Sequence, residues 1–166
     1  AETFDNNPVE EAEKIVKGYV NCPEIRFESG RAYYHKALDF ISVPPLVDYE
    51  NPHEYYSTLF HEMVHSTGHP KRLNRQGIAT PAAFGDEVYS KEELVAEMGA
   101  AMLCGVCGID NSTIENSAAY ISSWLKKLRD DKRLVVHAAA QAQKAADYIL
   151  GVTHSDSEEE AADKAE

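Results

Sequence analysis

The sequence predicts an α+β fold, rich in helix, with one small antiparallel sheet near its N-terminus. Three observations predict it. Five segments carry helix caps or helical apolar spacing, and four of them follow Glu50. Short β-prone runs occur only between Ile25 and Val43, punctuated by Gly30 and stopped by Pro44-Pro45. At 166 residues and 43% hydrophobic content, the chain fits one domain with enough apolar material for a real core.

Each element has a local reason. Asn6-Asn7-Pro8 reads as a helix start, with Glu10 and Glu11 near the positive end of the dipole and the helix running to about Tyr19. Ile25-Arg26-Phe27, Ala32 to His35 and Asp39 to Val43 read as three short strands, with Gly30 permitting the first turn. Asn51-Pro52-His53-Glu54 combines a capping side chain, a proline at the first helical position and an acid at the third. The helix it opens is expected to end near Gly68. Lys71 to Gly85 reads as a loop. Ser90, with Glu93 three residues on, reads as the cap of a helix reaching Gly105. Two more helices are expected, over Asn116 to Arg129 and Val135 to Leu150, the latter stopped by Gly151 and rich enough in alanine to pack closely.

Composition excludes several functions. The formal charge is −12, so the chain lacks the basic surplus with which proteins grip nucleic-acid phosphates. Ser155 to Glu166 holds six acids and one lysine, a net of −5, and no aromatic or large aliphatic residue; it reads as an acidic disordered tail (155–166) behind a folded domain (1–154). Three cysteines, Cys22, Cys104 and Cys107, are too few for a disulfide scaffold and fit a reducing, cytoplasmic compartment. No window is apolar enough to span a membrane. The chain starts at Ala1 rather than Met, as a processed product or an excised domain does.

The chemistry-bearing pattern is His61-Glu62-Met63-Val64-His65. On a helix, residues four apart share a face, so both imidazoles can reach one metal ion. Glu62, rotated about 100° from His61, sits beside that ion, where it can take a proton from a metal-bound water. Random shuffling of this composition produces about 0.03 such patterns per chain, so two incidental surface histidines are a poor alternative. A catalytic zinc usually takes three protein ligands. In the longer pattern His-Glu-x-x-His-x-x-Gly-x-x-His, the third histidine would stand at position 71, which is Lys71; His69 follows too soon after the turn and reads as a cleft-lining or surface residue. The better source is the next helix, where Glu93 and Glu97 lie four apart on one face. One carboxylate can bind the metal and the other can accept the second N–H of a ligand histidine. Glu93 is taken as the metal ligand and Glu97 as its supporting partner, with the reverse assignment open. Deprotonated histidine ligands imply that metal affinity falls below about pH 6.5.

Longer stretches carry a resemblance. Tyr55 to His69 (YYSTLFHEMVHSTGH), Arg72-Leu73-Asn74-Arg75 and Tyr89 to Leu103 (YSKEELVAEMGAAML) resemble the zincin-like metallopeptidase domain of ArdC-type antirestriction proteins. So do Glu115 to Leu125 (ENSAAYISSWL), Asp130-Asp131-Lys132 and Ala138 to Leu150 (AAAQAQKAADYIL). The same domain occurs in plasmid and phage primases and polyvalent proteins, and the likeness covers residues from about 10 to 151. It implies a zincin-like fold and a gluzincin-like zinc site, with His61, His65 and an acid from the second helix as ligands and Glu62 as base. Glu93 also resembles the acid of the Glu-x-x-Ala-Asn pattern in related regulator-cleaving peptidases, with Glu97 at the Asn position. Family members usually carry a DNA-binding domain ahead of this one. The implied setting is a mobile genetic element. The expected partner is a protein or peptide substrate, without direct nucleic-acid binding by this domain.

The remaining candidates are weaker. The Arg31 to Ser42 hairpin falls where zincins place an edge strand above the metal, a surface that can pair with an extended peptide. Tyr33, Tyr34, His69, Tyr89 and Tyr120 are possible oxyanion donors, Tyr89 being favoured for its place just before the acidic helix pair. Cys104 and Cys107 have no second pair to complete a zinc site and read as small buried residues, and Trp124 reads as core. The leading expectation is a zinc-dependent hydrolase, a metallopeptidase. The rivals are a metal-stabilised interaction module with little turnover, and an acidic mimic of DNA.

Overall fold

A computed structural model describes residues 2–84, 86–110, 117–129 and 131–153. The elements run α1 (Glu10–Gly18), β1 (Glu24–Phe27), β2 (Tyr33–His35), β3 (Phe40–Val43), α2 (Pro52–Thr67), α3 (Gln76–Ala79), α4 (Glu87–Val106), α5 (Ser117–Lys127) and α6 (Lys132–Leu150). The expected tail, and the expected start of α5 at Asn116, lie outside the described residues.

The helix-rich α+β class holds, but the sheet is mixed rather than antiparallel. Its order is β1-β3-β2, with β1 parallel to β3 and β2 antiparallel to it. Burial explains the order. All four residues of β3 are buried, whereas β1 and β2 are only partly covered, so the most apolar strand takes the central place. The chain therefore crosses from one edge to the other through residues 28–32, where Gly30 adopts φ 120°, before β2 turns back into β3. Among the described residues, no strand pairs with the outer edge of β2.

Capping decides the helix boundaries. Asn51 Oδ1 accepts from the His53 N–H at 2.8 Å and Pro52 opens α2, as the sequence predicts. Asn6 does not cap α1; its side-chain amide donates to the carbonyls of Leu46 and Tyr49, and α1 starts at Glu10 without a side-chain cap. Ser90 is not the cap of α4. Asp86 is, accepting from the Tyr89 N–H at 2.8 Å, so the helix begins earlier and Ser90 is buried within it. Asp131 caps α6, which begins at Lys132, three residues before the expected start, and Gly151 ends it at φ 71°. The expected loop from Lys71 contains the short helix α3.

The core lies where α2, α4 and α6 meet, under β3. Tyr56, Phe60, Met63 and Val64 from α2 pack with Leu94, Val95 and Leu103 from α4 and with the alanine face of α6 (Ala138, Ala142, Ala145, Ala146). Small residues set the spacing. A Cβ on Gly99 would stand 2.8 Å from the Val64 side chain, so α4 approaches α2 as closely as a glycine allows. That approach brings the acidic turn of α4 against the histidine turn of α2.

Candidate metal centre

The α2 helix presents His61 and His65 on one face, with their Nε2 atoms 3.1 Å apart. Glu93 reaches across from α4: Oε2 lies 3.3 Å from His61 Nε2 and Oε1 lies 3.2 Å from His65 Nε2. The other ring nitrogens face carboxylates too. Glu97 Oε1 is 3.3 Å from His61 Nδ1, and Glu92 Oε1 is 3.0 Å from His65 Nδ1. A carboxylate beside Nδ1 holds the proton on that nitrogen and leaves Nε2 as an acceptor. Two Nε2 lone pairs and a carboxylate then converge on one point, an arrangement that requires a cation.

The donor set fits a metal ion. Ligands about 2.05 Å from a tetrahedral zinc are about 3.3 Å from one another, close to the separations observed here. His61, His65 and Glu93 form a group whose ligand atoms all lie within 4.8 Å of each other. In the absence of metal, protons answer the same demand. Burial alone would lower both histidine pKa values, but Glu93 and Glu97 raise that of His61 well above its ordinary value, and Glu92 and Glu93 raise that of His65 to about 9. Burial would raise the Glu93 carboxyl; the two imidazoles overcome it and hold the group far below the usual carboxylate range.

Glu92 and Arg75 belong to no chemistry-bearing motif in the sequence, and the structure gives both a place. Glu92 is 5% exposed and receives Arg75 Nε and Nη2, each at 2.7 Å, besides the His65 ring. Arg75 is equally buried and donates further to Thr67 Oγ1 and the Val64 carbonyl. Arginine and imidazole outweigh burial and keep Glu92 ionised. One sequence signal pointed here. Glu92 shares its helical stripe with Val95, Ala96, Gly99 and Leu103, all buried, and a carboxylate on an apolar stripe needs a partner. Gly77 makes room, since a Cβ there would lie 2.5 Å from Glu92 Cβ.

His61, His65, Glu92 and Glu93 line the floor of a cleft of about 420 Å³. Glu62 borders it beside His61 and is 8% exposed. Tyr89 borders it from α4, edge-on to Trp124 and tilted against Phe84. Burial first, and then the nearby charges of Glu93 and Glu62, raise the pKa of the Tyr89 hydroxyl and keep it protonated. The β2 edge forms the opposite wall with Tyr33 and Tyr34. The Tyr34 hydroxyl is engaged, donating to Asp39 at 2.7 Å. Arg72 holds the same aspartate with both terminal nitrogens and ties it to the Ser66 carbonyl at the end of α2. That latch fixes the height of β2 above the histidines. His69 and Tyr120 do not border the cleft; His69 Nδ1 accepts the Lys71 N–H in the turn after α2. Cys104 and Cys107 are buried free thiols, and Trp124 is half-buried.

A helix-borne His-Glu-x-x-His pair, an acid from the next long helix and a free strand edge above them define a zincin-like domain. The chain belongs to the zincin-like metallopeptidase family, whose model matches residues 10–141. It is 40% identical over 145 residues to a DNA primase TraC of Escherichia coli, a match covering 87% of this chain and 10% of that protein. It is 33% identical over 143 residues to the uncharacterized protein y4eC of Sinorhizobium fredii, covering 84% of this chain and 46% of that one. Among solved structures it is similar to the antirestriction protein ArdC from the R388 plasmid in its Mn(II)-bound form, with 38% identity and a TM-score of 0.65 over 92% of this chain and 54% of that one. The metal-free ArdC structure gives a TM-score of 0.63. The chain thus spans only a small part of the primases and about half of ArdC. The donor set here and the manganese-bound relative together support a metal ion as the cofactor of this domain. Among the described residues, no helix is long and apolar enough to cross a membrane.

Proposed function

We propose that this domain is a zinc-dependent hydrolase, a metallopeptidase of gluzincin type, serving the antirestriction or plasmid setting to which its relatives' names point. The observation that carries the reading is the convergence of His61, His65 and Glu93 beside Glu62 on the floor of a cleft walled by a free strand edge. Those three residues would hold the metal, which supplies a water of lowered pKa and polarises the substrate carbonyl. The chain's own groups do the rest. Glu62 accepts the proton of the attacking water and returns it to the leaving amine. Glu97 and Glu92 keep the two imidazoles in the tautomer that presents Nε2. Tyr89 donates to the oxyanion from the opposite wall. The free edge of β2 pairs with the backbone of an extended protein or peptide substrate, with no call for nucleic acid in the cleft.

Two measurements test this. Zinc or manganese is added, excess is dialysed away, and metal per chain is read by elemental analysis. One ion per wild-type chain is expected, lost in Glu93→Ala, with zinc outcompeting manganese for the two-nitrogen site. In the loaded protein, Glu62→Gln should keep the metal and abolish peptide turnover, and undiminished turnover would overturn the mechanism. A second reading draws on the relatives' names, which describe a primase and an antirestriction protein rather than a peptidase. A metal-stabilised interaction module would keep its biological effect in Glu62→Gln.

A further inference from the structure

The cleft carries charge for which the proposed hydrolysis has no use. Arg31 and Lys36 both border it, both are exposed, and among the described residues they are its only lysine or arginine lining residues. They stand at the two ends of β2, Arg31 two residues before Tyr33 and Lys36 immediately after His35. The neighbouring arginines are engaged: Arg26 with Glu24, Arg72 with Asp39 and Arg75 with Glu92. Arg31 and Lys36 form no ion pair among the described residues. The Arg31 guanidinium lies 5.5 Å from the centre of the Tyr33 ring, and its charge is felt at the Tyr89 hydroxyl on the other wall.

The carboxylates below do not cancel these charges. Glu92 is neutralised by Arg75, and Glu93 is shared between two imidazoles, leaving Glu62. A chain of net charge −12 therefore keeps two unspent cations at the rim of its metal site. β2 itself is Tyr33–His35, and extended chain advances about 3.3 Å per residue, so the five steps from Arg31 to Lys36 span at most about 16 Å, or roughly five ligand residues. One cation meets each end of that segment.

We infer that the cleft selects an extended acidic peptide, with Arg31 and Lys36 reading carboxylate side chains at the two ends of the stretch laid along β2. This rests on the peptidase reading of the same cleft. It names the substrate class: acidic segments of a protein, cut between their acidic residues.

The test uses zinc-loaded Glu62→Gln protein, which binds without cutting, and three dye-labelled hexapeptides with alanine between end residues of Glu, Gln or Lys. Binding is read by fluorescence anisotropy, and wild-type protein is assayed in parallel for cleavage. Two exposed ion pairs predict roughly fivefold tighter binding of the Glu peptide than of the Gln peptide. The preference should shrink at about 1 M salt, where the Debye length falls to about 3 Å. Adding Arg31→Glu and Lys36→Glu should reverse the order and favour the Lys peptide; both positions are exposed and outside the core. Equal binding of the Glu and Gln peptides, or an order unmoved by charge reversal, overturns the inference. The two readings fail separately. Cleavage of the Gln peptide by wild type without charge preference overturns this inference alone. Acidic preference without cleavage of any peptide overturns hydrolysis, and with it the cut between acidic residues, while supporting recognition of an acidic peptide by Arg31 and Lys36. Binding of none of the three overturns both.

Discussion

Glu92→Gln removes one charge from a site that solvent barely reaches, and its cost can be worked from the structure. Glu92 accepts two bonds from Arg75 at 2.7 Å and one from His65 Nδ1 at 3.0 Å, with both Glu92 and Arg75 5% exposed. Glutamine keeps the shape but leaves the Arg75 guanidinium without a counter-charge. Removing one partner of a buried pair costs about 3–5 kcal/mol. The Arg75 bonds to Thr67 and the Val64 carbonyl survive, so the lower end, about 3 kcal/mol, is expected. For a chain of this size each kcal/mol moves Tm by about 2–4 °C, which gives a fall of about 6–12 °C in the metal-free protein. Glutamine has one acceptor oxygen where Glu92 uses two, so it cannot serve both Arg75 and the His65 ring, and weakened support of a ligand histidine lowers metal affinity about 10- to 100-fold. Thermal unfolding followed by circular dichroism reads the first effect, and competition with a chromophoric zinc chelator reads the second. Glu92→Gln with Arg75→Met should recover part of the stability, because no unpaired charge remains. A Tm within about 2 °C of wild type, with metal affinity unchanged, would refute the argument that this buried pair supports the site.

Other predictions follow from the same geometry. In the metal-free protein, burial lowers and the Glu92 and Glu93 carboxylates raise the His65 pKa, the net being a rise from 6.5 to about 9. A raised folded-state pKa contributes stability that is complete below about 6.5 and lost as pH rises through about 9, so the metal-free Tm should fall across that interval; a flat profile contradicts it. Arg72→Met breaks the bidentate hold on Asp39 and frees β2 from α2. It should cost about 1–3 kcal/mol and speed hydrogen exchange at the Tyr33–His35 amides, which exchange at the wild-type rate if the latch is inert. Gly99→Val forces methyl groups against Val64, where a Cβ alone already stands at 2.8 Å, and should cost about 1–3 kcal/mol in denaturant titration. An unchanged midpoint would show that α4 can move away from α2 freely.

Local chemistry made much of this protein legible. The start of α2 follows from Asn51 and Pro52 alone, because a cap satisfies backbone donors two or three residues away. The stop of α6 follows from Gly151, which can take the left-handed conformation. The convergence of His61 and His65 follows from the pitch of the helix that carries them. The start of α4 was misplaced because Asp86 and Ser90 are both good caps, and the sequence does not say which one faces a free helix end. Asp86 wins with two bonds, since it also accepts from the Ala83 N–H.

What the sequence determined by itself is whatever a turn of chain decides: that helices form, where most of them stop, and that two imidazoles and a glutamate ride one helix face. What only the tertiary structure decided is how those faces meet. The strand order depends on which strand the core covers most, so β3 entered between β1 and β2 although it follows both. The distribution of Glu92, Glu93 and Glu97 over four imidazole nitrogens depends on how α4 is rotated against α2, which the close approach at Gly99 and Val64 sets. Arg75 joins them only because the chain after α2 folds back, past Gly68, over the end of the helix. The ion pairs of the site join residues 17 to 36 positions apart. Their energy lies in burial and charge pairing between elements, and no local pattern carries it.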